Sequence, residues 1–192
     1  MSVDFYESKT RVNLMRAFAG ESQARNRYTF AAEKAKKMGC WFIYNVFTLT
    51  ANQEKAHAEI FYNHLKPENG ETIVIDNGGY PVDNYDTIEE LLRAAQHNEY
   101  DEYETAYPEF ARIAKEEGFH DIAFSFEKIA EIEKTHGDRF GCFADLIENS
   151  KMFTGDENTE WICLNCGHIQ KGKNAPKQCP VCKHDQGYFV PY

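Results

Sequence analysis

Apolar residues recur every three or four positions through residues 9–37 and again through 41–65, which predicts two long helices that turn back on each other at Gly39. The inward stripe of the first reads Leu14, Ala17, Glu21, Ala24, Tyr28 and Ala31, and that of the second Ile43, Phe47, Thr50, Glu54, His57 and Phe61. Residues 66–86 hold Pro67, Pro81 and three glycines, a connection too long for a hairpin between adjacent helices. Thr87 with Glu90 makes a capping-box pattern that opens a third helix, running to about Glu117 with Ile88, Leu92, Ala95, Glu99, Glu102, Ala106 and Ile113 on one face. Gly118 breaks the chain, and a fourth helix with Ile122, Phe126, Ile129, Glu133, His136 and Phe140 in line runs to about Glu148. Two helical hairpins joined by a crossover predict a mainly α protein built on a four-helix bundle.

The two hairpins resemble each other. Tyr28, Ala32, Gly39, Phe47, Glu54 and His57 each find the same residue type 79 positions on, at Tyr107, Ala111, Gly118, Phe126, Glu133 and His136. An internal pseudo-two-fold axis is expected to relate the halves. The doubled Glu-x-x-His pair lies on both apolar stripes, and Glu21, Glu99 and Glu102 interrupt the other two. Five carboxylates and two imidazoles thus converge at mid-bundle, about fifteen residues or roughly 22 Å of helix from each hairpin turn. Buried carboxylates without a cation cost several kcal/mol each, so the arrangement asks for metal. A single Glu-x-x-His is most often a solvated face; two copies on core stripes, each backed by a further glutamate, match the ligand set of ferritin-like di-metal carboxylate bundles. His64, His97, His120, His168 and His184 have no such company and read as surface or packing residues.

Composition narrows the setting. With 192 residues, 42% hydrophobic and 27% charged, the chain can bury one core plus a small appendage. No apolar run approaches a membrane span, and the acidic, polar start lacks a secretory pattern, so no membrane partner and a cytoplasmic location are expected. The net charge of -10 leaves no basic face for nucleic acid.

Four of six cysteines fall in one cluster, Cys163-x2-Cys166 and Cys179-x2-Cys182, which is the spacing of a tetrahedral tetrathiolate site. Zinc and iron both suit such a site, and the spacing does not choose between them. Trp161, Tyr188 and Phe189 flank it and could pack a miniature core. Cys40 and Cys142 stand apart as buried or free thiols. The expected division is a bundle over 1–148, a polar linker over 149–160 and a cysteine module over 161–192.

The sequence GESQARNRY at 20–28, Glu54-x-x-His57, Glu99-x-x-Glu102 followed by Tyr107-Pro108, Glu133-x-x-His136 and the paired cysteine motifs closely resemble the rubrerythrin family along essentially the whole chain. That resemblance implies a ferritin-like di-iron bundle fused to a C-terminal rubredoxin-like domain, with two iron atoms in a carboxylate-bridged site and one in the tetra-cysteine site. It implies a peroxidase that reduces hydrogen peroxide to water, fed through the cysteine iron by rubredoxin or an NAD(P)H-dependent rubredoxin reductase, and working as a head-to-tail homodimer. In that frame Glu54 and Glu133 bridge the irons, Glu21, Glu99 and His136 hold them from the sides, and His57 and Glu102 exchange on one iron. Tyr28 and Tyr107 are candidate hydrogen-bond donors to ligand carboxylates, or else plain aromatic core. An iron-storage ferroxidase would have no use for the cysteine module, and a structural zinc-ribbon adaptor would have none for the buried glutamates.

Overall fold

The computed structural model describes residues 3–76 and 78–192. Helix α1 (Lys9–Lys37) and helix α2 (Trp41–His64) form the first hairpin, with Gly39 taking the left-handed conformation (φ 75°) that their tight turn needs. Ser8 caps α1 by accepting from the Arg11 amide. The crossover leads to helix α3 (Ile88–Asp101), where the Thr87 hydroxyl accepts from the Glu90 amide and the Glu90 carboxylate accepts from the Thr87 amide. Helix α4 (Tyr107–Glu117) ends at Gly118, φ 92°, and helix α5 (His120–Glu148) completes the bundle. Among the described residues no helix is long and apolar enough to cross a membrane.

The third helix of the sequence is not one straight rod. Between α3 and α4, Glu102–Ala106 form a π turn, which inserts one residue and rotates everything after it. Ala106 and Ile113, expected on the core face, are only half-buried; Tyr107, Ala111 and Ala114 take the core positions instead. A fine difference in the internal repeat explains this. Leu14, Ala17 and Glu21 match Leu92, Ala95 and Glu99 at a separation of 78, whereas Tyr28 matches Tyr107 at 79. The extra residue falls between Glu99 and Tyr107, and the π turn absorbs it while keeping both ends of the helix pair in register.

Two apolar cores lie above and below mid-bundle. One is centred on Tyr28, Phe47 and Phe140, with ring centroids 6.0, 5.2 and 5.1 Å apart; the other on Tyr107, Phe126 and Phe61, at 5.9, 5.5 and 4.9 Å. The internal repeat exchanges these two trios residue for residue, so the pseudo-two-fold axis is visible in the packing as well as in the sequence.

The C-terminal module is a three-stranded antiparallel sheet of β1 (Glu160–Cys163), β2 (Ile169–Lys171) and β3 (Phe189–Pro191), ordered β2-β1-β3. Trp161, Cys163, Ala175, Cys179 and Phe189 form its core. Part of the stretch read as linker is folded in: Phe153 packs on the module, Ala175 donates to the Phe153 carbonyl at 3.0 Å, and Met152 packs on the bundle. Gly187 lies so close to the Gly39 carbonyl that a side chain there would collide with it, and Tyr188 stacks on Trp41 with centroids 5.0 Å apart. The module is thereby fixed to the end of its own bundle that carries the α1–α2 turn.

Candidate metal centres

Four helices deliver the mid-bundle site: Glu21 from α1, Glu54 and His57 from α2, Glu99 from α3, Glu133 and His136 from α5, all of them buried. They fall into two groups, Glu21, Glu54, His57 and Glu133, and Glu54, Glu99, Glu133 and His136, within each of which the ligand atoms all lie within 4.8 Å of one another. Glu54 and Glu133 belong to both. The groups mirror each other closely. His57 Nδ1 stands 2.9 Å from Glu133, 3.1 Å from Glu54 and 3.8 Å from Glu21. His136 Nδ1 stands 3.0 Å from Glu54, 2.8 Å from Glu133 and 3.6 Å from Glu99. The imidazole rings lie near parallel, centroids 5.7 Å apart.

The tyrosines cross between the halves. Tyr28 of the first hairpin donates its hydroxyl to Glu99 of the second, and Tyr107 of the second donates to Glu21 of the first. Each ties up one oxygen of a flanking carboxylate and leaves the other, Glu99 Oε2 or Glu21 Oε2, buried without a hydrogen-bond partner. Glu54 Oε1, both Glu133 oxygens and both His136 ring nitrogens are in the same position. So many orphaned donor atoms converging at the centre of a protein are costly unless cations fill the space between them. Hard carboxylate oxygens with two imidazoles suit a pair of first-row metals, and the set fits a carboxylate-bridged di-iron site.

The electrostatics agree. Burial, and then the Glu133 charge, pushes the Glu21 carboxyl well up; burial, and then Glu54, does the same to Glu99. Burial would push Glu54 up too, but the His136 and His57 imidazoles outweigh it and bring that carboxyl down to about 2. Burial likewise lowers His136, yet Glu133, Glu54 and Glu99 outweigh it and raise the imidazole to about 12; His57 is raised in the same way. Without metal the cluster holds protons, and cations entering it must displace them.

Glu102 is the exception to the symmetry. Its counterpart at a separation of 78 is Ala24, and it lies outside both ligand groups, in the π turn. Burial first, and then the charges of Glu21, Glu99, Glu133 and Glu54, raise its carboxyl, and its Oε1 lies beside Gly20, the neighbour of Glu21. Of the residues singled out in the sequence, the other six mid-bundle ligands come together and Glu102 stands beside them.

In the module, Cys163 and Cys179 are buried while Cys166 and Cys182 reach the surface. Sulfurs of Cys163 and Cys182 are 3.6 Å apart and those of Cys166 and Cys179 3.7 Å, and all four thiols form one cluster. The His184 backbone N–H is the chief influence that brings the Cys182 thiol down to about 5, while burial raises Cys163 and, against the His168 backbone N–H, burial and the neighbouring thiols raise Cys166 to about 12, so a metal entering the cluster displaces thiol protons. The four sulfurs fit a rubredoxin-like iron site. Sequence reasoning did not single out two crossover residues, Tyr80, which lines a cavity together with Glu102, and Asp83, which accepts from Arg27 and Asn98; the run Gly78-Gly79-Tyr80-Pro81 was the signal near them.

Comparison with known proteins draws these features together. The family model for rubrerythrin matches residues 13–143, and that for the rubredoxin-like domain of rubrerythrin matches residues 161–190. Rubrerythrin-1 of Clostridium acetobutylicum is 45% identical over 183 residues, covering 95% of this chain and 93% of its own. The rubrerythrin of Clostridium perfringens is 47% identical over 184 residues, with 95% and 93% covered. A solved structure of nigerythrin in a mixed-valence state overlays on 100% of this chain and 92% of its own with a TM-score of 0.64 at 27% identity. A pseudo-symmetric carboxylate and imidazole cluster in a four-helix bundle, joined to a four-cysteine module, and these matches along nearly the whole length, place the chain in the rubrerythrin family.

Proposed function

We propose that this chain is a non-haem di-iron peroxidase that reduces hydrogen peroxide, H2O2 + 2 H+ + 2 e− → 2 H2O, in defence against oxidative stress. The observation that carries the reading is the pairing, in one chain, of two ligand groups sharing Glu54 and Glu133 with a tetra-cysteine module suited to one-electron transfer. A di-iron pair held there would supply both electrons together, the chemistry that cleaves an O–O bond without release of a hydroxyl radical. Glu54 and Glu133, being common to both groups, would bridge the metals, and Glu21, Glu99 and His136 would hold them from the sides. Tyr107 and Tyr28 orient Glu21 and Glu99. His57 and Glu102 would exchange on one of the metals, the imidazole serving the reduced state and the carboxylate the oxidised one, because two added positive charges would favour a fifth carboxylate.

Electrons arrive at Cys163, Cys166, Cys179 and Cys182 from rubredoxin or an NAD(P)H-dependent rubredoxin reductase. They cross to the di-iron site of the other subunit in a head-to-tail homodimer. The position of the module supports this: it is fixed beside Gly39 and Trp41, and His57 lies sixteen residues further along α2, about 24 Å of helix away. The test is anaerobic: iron-loaded protein, a rubredoxin, its reductase and NADH are mixed, and NADH consumption is followed on addition of hydrogen peroxide. Stoichiometric consumption of one NADH per peroxide is expected, and a loaded protein that consumes none overturns the reading.

A further inference from the structure

A cavity of about 190 Å³ lies between α1, the π turn and the crossover segment 78–81. Its inner wall includes Glu102 and Tyr107, the residue that holds Glu21, and Tyr80 lines it from the crossover. Of the seven mid-bundle ligand residues, Glu102 is the one that borders it. Larger cavities, of about 950 and 450 Å³, touch none of the seven. Gly20 lines the floor: a methyl group there would sit 3.8 Å from the Tyr80 ring and 4.0 Å from Glu102 Oε1, so ring and carboxylate face each other across a residue with no side chain.

The crossover is pinned on both flanks of Tyr80. Arg16 Nη2 donates to the Asp76 carbonyl at 3.0 Å, and the Tyr80 hydroxyl donates to the Arg16 carbonyl at 3.2 Å. Beyond it, Arg27 and Asn98 both donate to Asp83 Oδ2, at 2.6 and 2.7 Å, in a half-buried junction of α1, α3 and the crossover. Two ion-paired arginines thus hold one aromatic ring over a small polar chamber whose far side is the odd carboxylate of the metal site. The chamber has room for a hydrogen peroxide molecule and a few waters. Arg16, Arg27, Asn98 and Glu102 give it both donors and acceptors, and among the described residues Arg16 Nε has no hydrogen-bond partner.

We propose that this cavity is the chamber through which a hydroperoxide reaches the di-iron site, and that Tyr80 sets its size limit, admitting hydrogen peroxide and excluding bulky organic hydroperoxides. The proposal rests on the peroxidase reading. Hydrogen peroxide, small and able to donate and accept, passes the ring edge and meets Glu102 before the metals; a hydroperoxide with a phenyl-bearing tail has to displace Tyr80 and both of its anchors.

The experiment uses the full-length, iron-loaded protein with its electron donor and compares kcat/KM for hydrogen peroxide and cumene hydroperoxide. Azide association with the oxidised protein, followed by visible absorbance, provides a readout independent of turnover. Removing the ring in Tyr80→Ala is expected to raise the cumene to hydrogen peroxide ratio by about tenfold or more, the scale on which a shape-restricted site discriminates, and to speed azide association. Tyr80→Phe keeps the ring and should keep the wild-type ratio. Asp83→Asn, which does not line the cavity, weakens the anchor and should speed azide association even if Tyr80→Ala fails to fold. Wild-type ratio and azide rate in a helical Tyr80→Ala protein, no change in Asp83→Asn, or a wild type that reduces both substrates equally well overturns the proposal. If the wild type reduces no hydroperoxide at all, the peroxidase reading falls, and the azide rates alone decide the role of Tyr80.

Discussion

Tyr28 and Tyr107 each donate a hydrogen bond to a carboxylate of the mid-bundle cluster, and each reaches across the pseudo-two-fold axis to do so. Replacing either by phenylalanine keeps the ring in its trio and frees one oxygen of Glu99 or Glu21 to turn. Ferrous affinity, measured by competition with a chelator, should fall about 10- to 100-fold in each variant with little loss of fold, the usual effect of losing a partner behind a metal ligand. Unchanged affinity would reduce the two tyrosines to packing residues. At this scale the sequence was informative because a glutamate or histidine on an apolar stripe conflicts with its surroundings, and that conflict is readable from periodicity alone. It could not place Glu102 outside the cluster, since a residue three positions after Glu99 belongs on the same face in any regular α-helix. Nor could it decide between hydrogen bonding and plain packing for the tyrosines, because that choice depends on a hydroxyl meeting an oxygen seventy or more positions away.

Along the elements, helix lengths and turns followed from periodicity and from Gly39, Thr87 and Gly118, whereas the π turn did not. Its only trace in the sequence is the change of repeat separation from 78 at Glu21 and Glu99 to 79 at Tyr28 and Tyr107. Deleting exposed Thr105 should convert the π turn to regular helix and restore between Glu99 and Tyr107 the seven-residue spacing that separates Glu21 from Tyr28. Tyr107, Ala111 and Ala114 then keep their core positions, so urea unfolding should change by no more than about 1 kcal/mol, whereas deleting exposed Glu109 from regular helix α4 turns Ala111 and Ala114 out of the core and should cost about 3–5 kcal/mol, the scale of large core truncations. A second element-level contact joins the far end of α4 to the start of α1: Glu117 accepts from the Lys9 and Thr10 amides at 2.9 Å each and from the Thr10 hydroxyl at 2.6 Å. Burial pushes the Glu117 carboxyl up, but the Thr10 hydroxyl and these amides outweigh it and hold it below its ordinary value. Glu117→Gln should therefore cost about 1–2 kcal/mol near neutral pH, as loss of a charged helix cap does. Because the folded pKa lies below the unfolded one, the wild type's advantage is complete above about pH 4.3 and shrinks as pH falls through the folded value. Denaturant titrations of both proteins between neutral and acid pH check the amount and the sign.

For the whole molecule, the sequence located the two metal-binding units but not their mutual placement, which depends on Gly187 meeting Gly39, on Tyr188 stacking on Trp41, and on Met152 and Phe153 anchoring a stretch whose composition reads as a free linker. Such contacts pair residues far apart in the chain and leave no periodicity. Their consequence is mechanical. An extended twelve-residue linker could span about 40 Å, enough to carry the module back to its own di-iron site, but a module held at the α1–α2 turn stays roughly 20 Å or more of helix away from it. Electron transfer weakens steeply with distance, so on the proposed route a second copy brings its di-iron site to the module. A two-fold dimer does this for both subunits at once. The proposed route is tested by complementation. A Cys163→Ser subunit lacks the donor and keeps its acceptor; a Glu54→Ala subunit lacks the acceptor and keeps its donor. Each homodimer should be inactive in steady-state peroxide reduction. In the mixed dimer, isolated with two different tags, transfer between subunits leaves one intact donor and acceptor pair, and activity should return to about half of wild type per dimer, in line with one of two symmetric routes surviving. Transfer within a subunit leaves no intact pair, so a folded, iron-loaded mixed dimer with no peroxide reduction would show that each module serves its own bundle, and would require the Gly187 and Trp41 contacts to open during turnover.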